Sequence, residues 1–156
     1  MQTDPIEDLI ATLSAHIVSN NIQNTELETI FTKYLLIYIN SCWEREIRRL
    51  LVLRASRVKD PELENFVRMT VNPLRNIKSG EISKNVLKFS EGYRDNFVKL
   101  IQGENQSRYD NIVVNRHKAA HGADVLMTFD EVVISYRKGK TVINALATAL
   151  EITHQA

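Results

Sequence analysis

The chain has 156 residues and balances 20 Lys and Arg against 19 Asp and Glu, for a net charge of +1. That length suits one domain, 1–156, able to bury roughly 70% of its unfolded surface without a staple, while near-neutral charge excludes coating of nucleic acid by charge alone and leaves open only a local patch. Five glycines and three prolines disfavour a turn-rich sandwich, and the lone Cys42 excludes a disulfide framework and a Cys-rich zinc site.

A first helix is expected from Asp4, which can cap it, with Pro5 at the first helical position and Glu7 and Asp8 complementing the dipole. Ile6, Leu9, Ile10, Leu13 and Ile17 form its apolar stripe, and Asn20-Asn21 breaks it. His16 stands alone and reads as structural or exposed; His154 falls in a tail expected to fray. Thr25-Glu-Leu-Glu28 reads as a capping box opening a long helix from Glu26 to Val58. Its half from Ile30 to Ile39 is apolar almost all round, which predicts burial by several neighbours or another subunit. Further on, Leu36, Ile39, Trp43, Ile47 and Leu50 share one face, and Arg45, Arg48, Arg49, Arg54 and Arg57 lie largely elsewhere, as a solvated face or an RNA-binding one. Glu44 beside Trp43 is expected to be buried and to need a partner, for which Arg116 is the candidate.

Asp60-Pro61-Glu62 opens a third helix with Leu63, Phe66, Val67 and Leu74 as its apolar face, ended or kinked by Pro73, with Asn72 biased out of the α region. Residues 76–81 read as a linker, Ser83 as the cap of a short helix carrying Val86, Leu87 and Phe89, and Gly92 as an interruption. Tyr93, Phe97, Val98, Leu100 and Ile101 continue helically to Gln102; residues 103–107 read as a polar loop. A helix from about Ser107 to His121 follows. Thr128-Phe-Asp-Glu131 is a second capping box, ahead of a short helix with Val132, Val133 and Ile134. Arg137-Lys-Gly-Lys140 reads as a basic break, after which Thr141–Glu151 closes the fold. The reading is an all-α, up-and-down helical bundle around one long central helix. The acidic N-terminus does not read as a signal peptide and no apolar run is of membrane-spanning length, so a cytoplasmic protein without membrane contact is expected, in line with the single cysteine.

Chemistry concentrates in the segment from Asp110 to Gly122, where Arg116, His117, Lys118 and His121 fall within two turns. His117 and His121 share a face, with Asp110 and Val114 on nearly the same stripe. Arg116 shares its stripe with Tyr109, Ile112, Val113 and Ala120. Arg116 and His121 diverge by roughly 140° around an ideal helix and about 7.5 Å along it. Aiming both at one atom requires the long arginine stem, an opening of the helix at Ala120–Gly122, or a second copy of the helix. Gly122 suits the position just past a helix end, which puts His121 in the last turn, where the dipole favours imidazolium.

Arg116-His117-Lys118-Ala119-Ala120-His121 resembles the Arg-x4–6-His motif of the HEPN superfamily, and the setting Asn-Arg-His-Lys-Ala-Ala-His-Gly is similar to its prokaryotic toxin-type RNase branch. The long helix with Cys42-Trp43-Glu44, the motif helix and a helical C-terminus extend the resemblance along the chain. It implies a helical bundle, a homodimer with two motif copies facing each other, metal-independent RNA cleavage without a cofactor, and a role in defence or growth arrest restrained by a cognate antitoxin. Within it, His121 is the general acid/base, Arg116 holds the scissile phosphate, and His117 and Lys118 are secondary phosphate or base contacts. Glu44, Asp110 and Tyr109 are supporting residues.

Two other readings stay open. One is a non-catalytic module that binds a nucleotide or a partner protein, with Arg116 in a buried ion pair and His121 as a C-terminal cap. The other is a metal site on His117, His121 and Asp110, for which the i, i+4 spacing is right but the Glu of His-Glu-x-x-His and a further ligand are missing.

Overall fold

Seven helices and no strand form the residues that the computed structural model describes, 4–152; His154 lies outside them. The fold is all-α, as expected. In α1 (Pro5–Ser19), the Asp4 carboxylate accepts the Ile6 N–H at 3.0 Å and Ile6, Ile10, Leu13 and Ile17 are buried. The long central helix is α2 (Glu26–Ser56). Its cap differs from a capping box in one bond: Thr25 Oγ1 accepts the Glu28 N–H, but Glu28 takes the Asn24 N–H at 2.6 Å, because the Thr25 N–H already donates to the Ile22 carbonyl. Leu35, Leu36, Ile39, Trp43, Ile47, Leu50 and Leu51 of α2 are buried, whereas Ile30 and Tyr34 are more than half exposed. The apolar first half of this helix is therefore covered on one side only.

Helix α3 (Pro61–Val71) begins as expected, with Asp60 accepting the N–H groups of Glu62 and Leu63. Its apolar face is not covered as expected: Val71 is its one buried residue, Phe66 is 67% exposed, and Leu74 lies beyond the helix end. Asn72 keeps α geometry ahead of Pro73, its N–H held by the Arg68 carbonyl. Helix α4 (Ser79–Leu87) starts earlier than a Ser83 cap would allow, because its first N–H is satisfied from elsewhere in the fold, by Asp110. Helix α5 (Glu91–Ile101) contains Gly92 in its first turn, where the Gly92 N–H donates to the capping Ser90 hydroxyl.

The polar loop expected at 103–107 is instead the first turn of α6 (Glu104–Ala120). Gly103 reverses the chain in one step at φ +93°, a conformation that suits glycine. The Thr128–Glu131 capping box forms with both reciprocal bonds and opens α7 (Phe129–Ala149). That helix passes unbroken through Arg137–Lys140, where a break was expected. The reason is tertiary. Gly139 sits where α7 meets α2 and α6 so closely that a Cβ there would lie 2.9 Å from Trp43 Cη2 and 3.0 Å from Tyr109 Cα. Trp43 stacks on Tyr109 at 4.8 Å and on Tyr136 at 6.1 Å, joining the same three helices. Around this stack α1 packs on α2, α3 on α2, α5 on α7 and α4, and a single cluster of buried residues runs through them. No helix among the described residues is long and apolar enough to cross a membrane.

Candidate active site

Helix α6 buries Tyr109, Ile112 and Val113 against the bundle, which fixes its rotation and so the direction of each motif side chain. The Tyr109 hydroxyl donates to the Ile77 carbonyl at 2.6 Å. Burial, with the carboxylates of Asp110 and Glu44 nearby, pushes this phenol well above its ordinary pKa, so it stays a neutral donor. It anchors the segment between α3 and α4.

The C-terminal end of α6 is closed by backbone bonds alone. The Gly122 N–H donates to Ala119 and the Ala123 N–H to Lys118, with Gly122 at φ +72°. This is the Schellman pattern, and it places Gly122 where the sequence predicts it. His121 is the cap, at φ −103° and ψ 14°, already off the helical path. Its imidazole and that of His117 are exposed, with ring centroids 4.5 Å apart and planes tilted by 59°. The following loop is tied back to α6 by Asn115, whose Oδ1 accepts the Leu126 N–H. Lys118 is half-buried and contributes its carbonyl to the helix closure.

Arg116 is half-buried and does not join the histidines. Its Nη1 donates to Asn76 Oδ1 at 2.7 Å, and its Nε is buried without a partner among the described residues. The expected Arg116–Glu44 pair is absent among the described residues. Glu44 is buried, but Oε1 accepts from Asn40 Nδ2 at 2.9 Å and from the Asn76 N–H at 2.6 Å, and Arg48 Nη1 approaches Oε2 at 3.7 Å. The partners of this carboxylate come from α2 itself and from the 72–78 segment, and Arg116 meets that segment one residue's side chain away. Asn76, at φ +52°, is the residue that sequence reasoning missed. The signal for it was slight: an asparagine in a linker, tolerant of left-handed backbone.

Asp110 is not part of the histidine cluster. Its two oxygens accept from the Ser79 N–H at 2.8 Å and the Ser79 hydroxyl at 2.7 Å. Among the described residues no group of three or more His, Cys, Asp or Glu is arranged to hold a metal ion. The α2 arginines are largely engaged within the chain: Arg49 with Glu46, Arg48 with the Leu74 carbonyl, Arg57 with the Glu151 carbonyl, and Arg54 with Tyr93. Arg45, Arg48 and Arg49 line a cleft of about 480 Å³ with Arg68 of α3. Neither this cleft nor two others, of about 330 and 490 Å³, is lined by Arg116, His117 or His121. The motif stands at a surface.

Comparison with family models finds one, described as RiboL-PSP-HEPN, that matches residues 3–151. Comparison with curated proteins and with solved structures gives no match.

Proposed function

The chain belongs to the RiboL-PSP-HEPN family, and from that membership we propose that it is a metal-independent endoribonuclease centred on Arg116 and His121. The observation that carries the proposal is the end of α6. The helix ends at Ala120, the His121 imidazole stands exposed beside that of His117, and Arg116 lies on the same helix with one of its two Nη groups bonded to Asn76. RNA brings its own nucleophile. An imidazole takes the 2′-hydroxyl proton as that oxygen attacks phosphorus, the P–O5′ bond breaks, and a proton is delivered to the leaving 5′-oxygen. The products are a 2′,3′-cyclic phosphate and a 5′-hydroxyl end. Proton transfer of this kind contributes about 10²–10⁴-fold. Arg116 supplies preorganised positive charge to the pentavalent phosphorane through the guanidinium nitrogen that Asn76 leaves free. His117 and Lys118 make secondary phosphate or base contacts.

In this reading the protein works as a homodimer through the motif helix, acts on RNA in the cytoplasm, and serves as the toxin of a toxin–antitoxin or antiviral defence system with a cognate antitoxin. A second reading has one observation in its favour. Arg116 bonds Asn76 beside a buried glutamate, as a structural arginine would in a non-catalytic module that binds a nucleotide or a partner protein.

The two separate in one assay. Purified protein is incubated with single-stranded RNA, and with the matching DNA, in excess EDTA. We expect RNA cleaved, DNA intact, cyclic phosphate ends, and no cleavage by His121→Ala. A wild-type protein inert on RNA, or a fully active His121→Ala, supports the non-catalytic module; activity lost in EDTA and restored by zinc or magnesium overturns metal independence.

A further inference from the structure

Arg116 has one hydrogen-bond partner for its guanidinium among the described residues, and that partner is Asn76, forty positions earlier in the chain. Asn76 itself is fixed from both sides. Its N–H donates to buried Glu44 at 2.6 Å. Two residues before it, the Leu74 carbonyl accepts from Arg48 at 2.7 Å; one residue after it, the Ile77 carbonyl accepts from Tyr109 at 2.6 Å. Then Ser79 is held through both N–H and hydroxyl by Asp110. The segment 74–79 is thus laid across α2 and α6 by bonds from side chains of both helices, and the Asn76 amide oxygen is a fixed acceptor aimed at Nη1.

On the reading that Arg116 stabilises the reacting phosphate, we propose that Asn76 is a positioning residue for Arg116. It holds the guanidinium at one nitrogen and leaves Nη2 for the substrate. A neutral amide suits this task. A carboxylate at the same place would form an ion pair with Arg116 and compete with the phosphate for its charge. The left-handed backbone at φ +52° also separates the two functions of the residue. Glycine adopts that conformation readily and keeps the N–H that Glu44 needs, so Asn76→Gly removes the acceptor and little else.

Two measurements on Asn76→Gly test the role. In steady-state cleavage, kcat should fall by about 10²-fold, the scale of a misplaced reacting group, with KM changed far less and the melting temperature close to wild type. In NMR spectra detecting arginine Nε–H groups, the Arg116 signal should be sharp in the wild type and broadened or shifted to the free-arginine position in the variant. Undiminished kcat in Asn76→Gly overturns the proposal, and so does an Arg116 signal that ignores the substitution. A wild-type protein inert on RNA whose Arg116 signal still depends on Asn76 identifies instead a failure of the nuclease reading.

Discussion

The imidazoles of His117 and His121 lie 4.5 Å apart, while Arg116, the residue before His117, is bonded to Asn76 and to neither ring. One chain therefore carries its histidines in one cluster and its arginine in another. A two-fold axis beside α6 would bring each arginine to the histidines of the other copy. Mixing Arg116→Ala with His121→Ala protomers and allowing exchange should then restore about a quarter of wild-type cleavage, since half the dimers are mixed and each carries one intact site of two. No recovery after demonstrated exchange would sink the shared site.

Glu44 and Arg116 should differ sharply in what they contribute to stability. Removing the Glu44 carboxylate leaves Asn40 and the Asn76 N–H without their acceptor in a buried place, so Glu44→Ala should lower stability by about 2–4 kcal/mol. Glu44→Gln keeps an acceptor oxygen and should lose less. Arg116→Ala leaves Glu44 fully bonded and should cost about 1 kcal/mol or less while abolishing cleavage. Arg116→Lys should not rescue, because a point charge does not reproduce a planar fork. Urea denaturation monitored by circular dichroism orders the variants; an Arg116→Ala loss as large as that of Glu44→Ala would contradict the bonding described.

Gly139→Ala should reverse the usual sign for a helix interior. Alanine is normally favoured there by roughly 1 kcal/mol. Here its methyl would press on Trp43 and on the Tyr109 backbone at 2.9–3.0 Å, an overpacking that costs about 1–3 kcal/mol. The check is a thermal melt; a raised melting temperature would show that α7 has slack at this crossing.

His121→Ala should leave the fold untouched, because the cap is made by backbone groups and the side chain is exposed. Gly122→Ala should be the costlier of the pair by about 1 kcal/mol, since φ is +72°. Differential scanning calorimetry compares them directly, and equal stability of the two would argue against the left-handed closure.

Much of this was legible locally. Asp4 with Pro5, Asp60 with Pro61, Thr128 with Glu131, and Gly122 after His121 each place a helix end through chemistry contained in four or five residues. The long helix followed from its capping and its run of apolar residues; Arg116 and His121 were singled out by a resemblance. What escaped was decided by distant partners. The run Arg137–Lys140 has the composition of a break, yet Trp43 and Tyr109 need a glycine there, and packing overrode propensity. Arg116 was expected to pair with Glu44, but each instead bonds Asn76, which comes from a linker whose path no local pattern encodes. The face of α3 around Phe66 shows the converse: amphipathic spacing predicted burial, and among the described residues Phe66 stays 67% exposed.

The Asp110–Ser79 contact bears on how the molecule opens. Helix α4 has nine residues and no local side-chain cap; the acceptor for its first N–H is on α6. A helix that short is marginal on its own in water. Its amide protons should therefore exchange with solvent in step with those of the α6 turn around Asp110, as one cooperative unit. Asp110→Asn, which weakens the acceptor, should speed exchange through 79–87 before it affects the long central helix. The segment that seats Asn76 runs directly into this helix and should open with it, so the order around Arg116 would be readable, residue by residue, in the exchange rates of a helix that does not carry it.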